Sequence, residues 1–214
     1  GGAGAMTMGT GGTAGTYYAY GGILGNQIKT SAGITVNVVS TDGSKANILG
    51  IHAGNYQLAT VQSDVMAYAA AGTRSFESEG ALDSFRVIGG LYAEALQLVT
   101  MDPEIKSVAD LKGKKVAYAP GTSSEEILNL ALESVGLTLA DIEGYSMEPA
   151  NMVTAAISGS VDAIAAWSPF TLTILEEVGE DAIKFCSNAD FTDKAVALAS
   201  WVCNPKYAEE NPDI

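Results

Sequence analysis

The chain has 214 residues, of which 47% are hydrophobic, and its formal net charge is −14. This length allows one or two compact domains with a substantial core. The charge excludes ordinary nucleic-acid binding and attachment to an anionic membrane surface, because polyanions would repel so acidic a chain.

Strand and helix patterns alternate along most of the sequence. Apolar and β-branched runs predict strands at 34–39, 56–61, 86–89, 95–100, 114–119, 145–147, 161–166 and 195–203. Apolar residues at helical spacing predict helices at 20–28, 44–54, 64–71, 124–135, 150–158 and 169–178. This alternation favours an α/β architecture with mostly parallel sheets.

The polar stretch 101–111 divides the pattern into two blocks, since Asp102 and Pro103 break it there. We therefore predict lobe 1 at residues 1–100 and lobe 2 at residues 101–194. The strand-like run at 195–203 is expected to return to lobe 1 together with the residues up to 214, which gives two crossovers. A helix begins near Lys206, and we expect the native protein to continue beyond Ile214, because domains seldom end within a helix.

The loop at residues 9–16 is the most informative motif, because it contains four glycines and three threonines just before a predicted helix. Glycine lets the backbone come close to a ligand. The N–H groups at the helix start, at the positive end of its dipole, would hold an anion such as a carboxylate without a cationic side chain. A nucleotide site is disfavoured, because Ala14 occupies the third glycine position of a dinucleotide fingerprint and no Gly-Lys-Ser/Thr follows. A flexible N-terminal tail is the remaining interpretation.

Catalytic and metal chemistry have little support in the sequence. The single histidine, His52, is expected at the surface and cannot form a zinc site with Cys186 and Cys203, which lack metal-ligand spacing. The two cysteines are expected as free thiols rather than a disulfide, although sequence cannot decide their geometry. No Gly-x-Ser-x-Gly elbow is present, and neither cysteine precedes a helix that would lower its pKa. We therefore predict no catalytic residue, no metal and no cofactor.

Three segments resemble the TAXI family, the extracytoplasmic solute-binding proteins of TRAP-type transporters. They are GTGGTAGTYY at 9–18, STDGSKANI at 40–48 and VQSD at 61–64. Three later segments are similar also to binding proteins for nitrate, sulfonates and taurine: LKGKKV at 111–116, GSVDAI at 159–164 and WSP at 167–169. Both groups share the bilobed periplasmic binding protein fold of the second type. The resemblance implies a small organic acid or amino acid held between two lobes that close over it.

Ligands of open α/β sheets bind where strands end and helices begin, and this places the candidate ligand-binding residues. In lobe 1 they are Thr10, Gly12, Thr13, Thr16, Tyr17, Gly43, Ser44, Asn47, Gln62, Ser63 and Asp64. In lobe 2 they are Thr122, Ser123, Ser124, Trp167 and Ser168, and at the crossover Tyr92 and Glu94. Ser44 is the preferred side-chain ligand, and the Thr122–Ser124 stretch is equally typical of a plain helix cap.

Three features of this set leave alternatives open. Trp167 could stack on a ligand or pack in the core, whereas Trp201 is expected in the core. Asp64 or Glu94 could receive the amine of a zwitterion, although a solvated surface charge is favoured. The two arginines, Arg74 and Arg86, lie outside the collected loops, so hydroxyls and helix ends must hold the anion.

We expect an extracytoplasmic, monomeric solute-binding protein that delivers its ligand to the membrane permease subunits of a TRAP-type transporter. It would lie in the periplasm or on the cell surface as a lipoprotein, and any leader is expected to have been removed. No run of apolar residues is long enough to span a bilayer.

Three other functions remain open. The first is an ABC-type binding protein for nitrate, sulfonates or taurine, and the second is the sensing domain of a membrane receptor kinase. The third, an enzyme that makes a cofactor precursor, is disfavoured because no credible base or nucleophile is present.

Overall fold

The computed structural model describes residues 4–194 and 197–213. The chain forms two units, Gly1–Tyr92 with Leu198–Ile214, and Ala93–Ala197. Each unit contains one five-stranded sheet with helices packed on it, so the predicted α/β class is confirmed. The chain passes from one unit to the other twice.

The first unit has the strand order β2-β1-β3-β10-β4. Its strands are β1 (Met6–Gly9), β2 (Val36–Val39), β3 (Leu58–Gln62), β4 (Arg86–Ala93) and β10 (Leu198–Cys203). Its helices are α1 (Thr16–Ala32), α2 (Ser44–His52), α3 (Ser63–Ala71) and α7 (Pro205–Glu210). The strands β1, β2 and β3 run parallel, and β10 is antiparallel to β3.

The second unit repeats this plan with the order β7-β6-β8-β5-β9. Its strands are β5 (Leu96–Thr100), β6 (Lys115–Tyr118), β7 (Glu143–Ser146), β8 (Ala163–Trp167) and β9 (Ile183–Ser187). Its helices are α4 (Ser123–Ser134), α5 (Pro149–Ile157) and α6 (Phe170–Val178). The strands β6, β7 and β8 are parallel, whereas β5 is antiparallel to both β8 and β9.

Most strands of each sheet therefore run parallel, as predicted. The exceptions are β10, which is antiparallel to β3, and β5, which is antiparallel to β8 and β9. The residues of an apolar strand do not indicate whether it pairs parallel or antiparallel. The direction of β5 and β10 depends on the connections that lead into these strands. The strand β5 pairs in the second sheet, although it lies within the residues 1–100 assigned to lobe 1. The strand β9 was not predicted. Of the predicted strand 195–203, positions 195 and 196 lie outside the described residues.

The helix α1 lies close to the first sheet because two of its residues are glycines. A Cβ atom on Gly21 would lie 2.6 Å from Thr10 Cγ2, and one on Gly25 would lie 3.4 Å from Val38 Cγ2. Beneath α1, the side chains of Met6, Met8 and other apolar residues form a core cluster. The close approach brings the start of α1 next to the end of β1.

In the second unit, one face of α6 contributes to a core cluster that includes Ile174, Met152 and Ala156. Thr171, three residues before Ile174, is completely buried. Its hydroxyl oxygen has no hydrogen-bond partner among the described residues. A buried hydroxyl without a partner costs stability, because it loses its bonds to water and gains none.

We expect Thr171→Val to raise the free energy of unfolding by about 1 kcal/mol, since valine keeps the shape and removes the buried polar group. Urea denaturation followed by circular dichroism measures this change. Thr173→Val is the matched control, because the exposed Thr173 hydroxyl donates to the Pro169 carbonyl at 3.3 Å. A Thr171→Val protein less stable than wild type would contradict the assignment.

Candidate functional site

Three parallel strands of the first sheet end at one edge and lead into helices there: β1 into α1, β2 into α2 and β3 into α3. The residues that precede these helices, Gly15, Gly43 and Gln62, make no side-chain cap bond. The first N–H groups of a helix have no partner within the helix, and an anion can bind those that no other group engages. We call the loops 10–15 and 40–43, with the first turns of α1, α2 and α3, the first edge.

Asn47 lies completely buried behind the first edge. Its amide nitrogen donates to the Thr10 carbonyl at 2.5 Å and to the Thr60 carbonyl at 2.8 Å. Its amide oxygen accepts a hydrogen bond from the Thr41 hydroxyl at 2.7 Å. Both amide hydrogens and the oxygen are engaged within the protein, so Asn47 supports the loops from behind.

Thr10, also completely buried, fastens the end of β1 to β2. Its hydroxyl donates to the Val39 carbonyl at 2.7 Å, and its backbone N–H donates to the same oxygen at 3.1 Å. The predicted ligand residue Thr10 therefore uses its hydroxyl proton inside the fold. Its backbone N–H and carbonyl are also engaged within the protein, and contact of Thr10 with a ligand stays a prediction.

Ser44 is buried and bound to Gln62 in two ways. Its hydroxyl donates to Gln62 Oε1 at 2.9 Å and accepts the Gln62 backbone N–H at 3.1 Å. This pair joins the start of α2 to the end of β3. The structure thus gives the preferred side-chain ligand a supporting role, and direct contact of Ser44 with a ligand stays a prediction.

The remaining candidates of the first unit lie at or beside the first edge. Thr13 is exposed, and Gly12 and Thr16 are half-buried. The Gly12 carbonyl accepts the Gly15 N–H at 2.8 Å, which closes the turn before α1. The hydroxyl of Ser63 accepts the Leu198 N–H at 3.0 Å, and a carboxylate oxygen of the buried Asp64 accepts the Val65 N–H at 2.9 Å.

Aromatic rings surround the start of α1. The Tyr17 and Tyr92 rings meet edge to face with centroids 6.4 Å apart. Tyr20, which was not among the predicted residues, contacts the same Tyr92 ring at 5.9 Å. Helical spacing of three residues between Tyr17 and Tyr20 is the sequence signal that could have indicated this pairing.

The first turn of α2 contains a basic residue, Lys45, whose ammonium group is bound to residues outside the first edge. Its ammonium group donates to the Ser75 carbonyl and forms an ion pair with Glu79 at 3.1 Å. It also lies 5.3 Å from the centre of the Phe76 ring. His52 ends α2 and is exposed, with Nδ1 2.8 Å from the Ser84 hydroxyl.

In the second unit, Thr122, Ser123 and Ser124 begin α4 and are all buried. The Thr122 hydroxyl caps the helix by accepting the Ser124 N–H at 3.1 Å. The Ser124 hydroxyl accepts the Ala119 N–H at 3.0 Å and donates to the Ala165 carbonyl at 2.6 Å. The plain-cap interpretation therefore applies to Thr122, and Ser124 joins the ends of β6 and β8.

Trp167, Ser168 and Glu94 meet at the same end of β8. The half-buried Trp167 ring contacts Phe170 edge to face at 6.0 Å and packs against the core, which favours the packing interpretation. The Ser168 N–H donates to the Ala95 carbonyl at 3.2 Å, and the Ser168–Pro169 peptide bond is cis. Glu94 is buried, and its carbonyl accepts a hydrogen bond from Asn188 at 3.0 Å.

The structure thus brings the candidates together within each unit. Those of the first unit gather at the first edge, and those of the second follow the adjacent strands β6 and β8. Sequence reasoning missed Thr41 as an individual residue, although the loop containing it was collected. Ligand contact by any of these residues stays a prediction.

We expect Ser44→Ala to lower the free energy of unfolding by about 1–2 kcal/mol, because it removes two buried hydrogen bonds to Gln62. Urea denaturation measures the change. Ser31→Ala, at the exposed end of α1, is the matched control and should unfold like wild type. Equal stability of Ser44→Ala and wild type would rule out the supporting role.

Both cysteines are free thiols. Burial, reinforced by the negative charge of Asp190, raises the pKa of the Cys186 thiol to about 11. Burial also raises the pKa of the Cys203 thiol. Because the thiolate is the reactive form, neither group is suited to nucleophilic chemistry near neutral pH.

Cys186 should therefore react with iodoacetamide about 100-fold more slowly than a cysteine in a short peptide at about pH 8. Its rate should rise as the pH approaches the thiol pKa of about 11. Mass spectrometry of the Cys203→Ser variant isolates the Cys186 signal, and the urea-unfolded protein provides the fast reference. Peptide-like reactivity of the folded protein at pH 8 would refute the raised pKa.

Within residues 4–194 and 197–213, no helix combines the length and apolar character needed to cross a bilayer. Over the same ranges, no three side chains of histidine, cysteine or acidic type come together as a metal site.

Comparison with known proteins extends this description. The profile of the NMT1-like family matches residues 8–189. An Escherichia coli K12 protein named as an aliphatic sulfonates-binding protein is 38% identical over 114 residues, which are 53% of this chain and 34% of that protein. The chain therefore matches about a third of the length of this relative.

Solved structures show the same fold. The alkanesulfonate-binding protein SsuA from Xanthomonas axonopodis pv. citri, bound to MOPS, has a TM-score of 0.69 at 22% identity, over 97% of this chain and 68% of that one. The periplasmic aliphatic sulphonate binding protein SsuA from Escherichia coli has a TM-score of 0.63 at 26% identity, over 99% of this chain and 68% of that one. The predicted periplasmic binding protein fold is confirmed.

These matches overturn the predicted membership of the TAXI family and with it the TRAP-type transporter. The family profile that matches is that of the NMT1-like family, and several of the matched proteins are themselves named as sulfonate-binding proteins. Glycine and threonine suit the backbone of a strand-to-helix loop in general, so they did not separate the two families. The chain belongs to the NMT1-like family.

Proposed function

We propose that this protein is the solute-binding component of an ABC-type uptake system and that it captures an organic anion of the sulfonate class. The observation that carries the proposal is the first edge, where three helices begin without side-chain caps at the ends of three parallel strands. The similarity to proteins named for sulfonate binding supports the choice of ligand class.

Helix starts and hydroxyl groups can hold a sulfonate without a cationic side chain. A sulfonate group carries one negative charge over three oxygens, and backbone N–H groups at helix starts are suitable donors to them. Lys45 is bound to Ser75 and Glu79, so hydroxyls and helix dipoles would supply the stabilisation. Thr13 and Thr16 are accessible enough to add hydroxyl donors.

The second unit has strand ends of the same kind, in the loops that follow β6 and β8. The backbone N–H groups near Ser123 and Ser168 lie at strand ends where ligands of α/β sheets bind. Tyr17, Tyr20 and Tyr92 offer apolar ring surface for the organic part of the ligand beside the first edge.

The remaining parts of the proposal concern location and partners. The name of the Escherichia coli SsuA structure calls that protein periplasmic. We infer an extracytoplasmic location here and delivery of the ligand to membrane permease subunits. We further infer that the protein acts as a monomer and performs no catalysis, in keeping with relatives named as binding proteins.

Isothermal titration calorimetry with short alkanesulfonates, matched carboxylates and amino acids tests the ligand class. We expect a sulfonate to bind more tightly than the carboxylate of equal length. Its affinity should stay constant between about pH 5 and pH 8, because the sulfonate and the neutral donors do not titrate there. Preference for a carboxylate or an amino acid would refute the sulfonate class.

Variants at two glycines test whether the ligand binds at the first edge. Gly12→Val should weaken sulfonate binding about 10-fold or more, because the side chain would occupy the space in which the anion approaches the loop. Gly22→Val is the matched control, since a Cβ at Gly22 meets no atom within 4 Å. If both variants weakened sulfonate binding equally, the loop at residues 10–15 would not be the binding site.

A further inference from the structure

Thr41 contacts both loops of the first edge, although it was not among the predicted ligand residues. Its hydroxyl lies 2.9 Å from the Thr10 carbonyl and 2.7 Å from Asn47 Oδ1, and it can donate to either. The same hydroxyl accepts the Gly43 N–H at 3.2 Å, and the Thr41 N–H donates to the Gly11 carbonyl at 3.4 Å. One half-buried side chain therefore connects the β1–α1 loop with the β2–α2 loop.

We propose that Thr41 is a positioning residue that fixes the starts of α1 and α2 relative to each other, so that both helices bind one anion together. This inference rests on the proposed function of the first edge. Thr41 acts through the Thr10 backbone and through Gly43 and does not itself contact the ligand.

The conformation of Gly43 explains why a hydroxyl is needed at position 41. Gly43 precedes α2 with φ 94° and ψ −154°, a backbone conformation open to glycine and strained for other residues. The hydrogen bond from its N–H to the Thr41 hydroxyl selects this conformation. It thereby sets the direction in which the first N–H groups of α2 point.

Thr41 differs from the other polar residues behind the first edge. Thr10, Ser44 and Asn47 are completely buried, so their removal disturbs the fold itself. Loss of the Thr41 hydroxyl leaves the Asn47 amide bound to the Thr10 and Thr60 carbonyls. The fold should therefore survive while the two loops become independent.

The test compares Thr41→Val, which keeps the shape without the hydroxyl, with Thr41→Ser, which keeps the hydroxyl. Thr41→Val should speed hydrogen exchange of the Gly43 amide and of residues 10–15 about 10-fold, the effect of losing one hydrogen bond. It should also weaken binding of a short alkanesulfonate about 10-fold. The melting temperature should fall by a few degrees, because the buried Asn47 Oδ1 loses its Thr41 partner, but the variant should still unfold cooperatively. Thr41→Ser should restore both exchange and affinity.

Thr30→Val is the matched control, because the exposed Thr30 hydroxyl donates to the Asn26 carbonyl near the far end of α1. Wild-type exchange in Thr41→Val would overturn the inference, and so would faster exchange with undiminished affinity. Failure of Thr41→Ser to restore the wild-type values would overturn it as well. If the wild-type protein binds no sulfonate, carboxylate or amino acid, the proposed function fails, and the exchange measurement alone decides whether Thr41 couples the loops.

Discussion

The Asn47 amide is the contact on which the first unit depends. It joins the end of β1, the middle of β3 and the loop after β2, which are distant in sequence. Its position restricts the residues around it, because a Cβ atom on Gly9 would lie 2.6 Å from Asn47 Oδ1. Tyr56 imposes a similar limit, since a Cβ on Gly50 would lie 2.2 Å from its ring. Packing against the Asn47 amide and the Tyr56 ring therefore requires glycine at positions 9 and 50, and contact with a ligand is not needed to explain them.

Both units hold the ends of their strands with buried serine hydroxyl groups. In each, a serine in the first turn of a helix forms hydrogen bonds to the ends of parallel strands, Ser44 in the first unit and Ser124 in the second. Buried hydroxyls thereby hold the strand ends in place, and backbone N–H groups remain for the ligand. This division of roles explains how a site can bind an anion although its conspicuous polar side chains are already engaged.

Sequence patterns predicted local features better than distant ones. The helices α2, α3, α4 and α6 begin within one residue of the predicted positions, because apolar spacing and helix-start residues are local signals. The directions of β5 and β10 were not predictable, since they depend on partners far along the chain. For the same reason, the sequence could suggest Ser44 as a polar residue at a helix start but could not reveal Gln62 as its partner. The glycine–threonine loop did not identify the family, because glycines and hydroxyl residues before a helix suit many strand-to-helix loops.

The placement of β10 has a consequence for the order in which the protein acquires its structure. Among the residues that the structure describes, β10 lies between β3 and β4 in the first sheet, and β4 is the edge strand. Because synthesis proceeds from the N-terminus, β10 is made more than a hundred residues after β4, the strand with which it pairs. The second unit is a continuous stretch, Ala93–Ala197, and is complete before that partner is made. The second unit can therefore form from one continuous stretch, whereas the first sheet is completed only when Leu198–Cys203 joins β3.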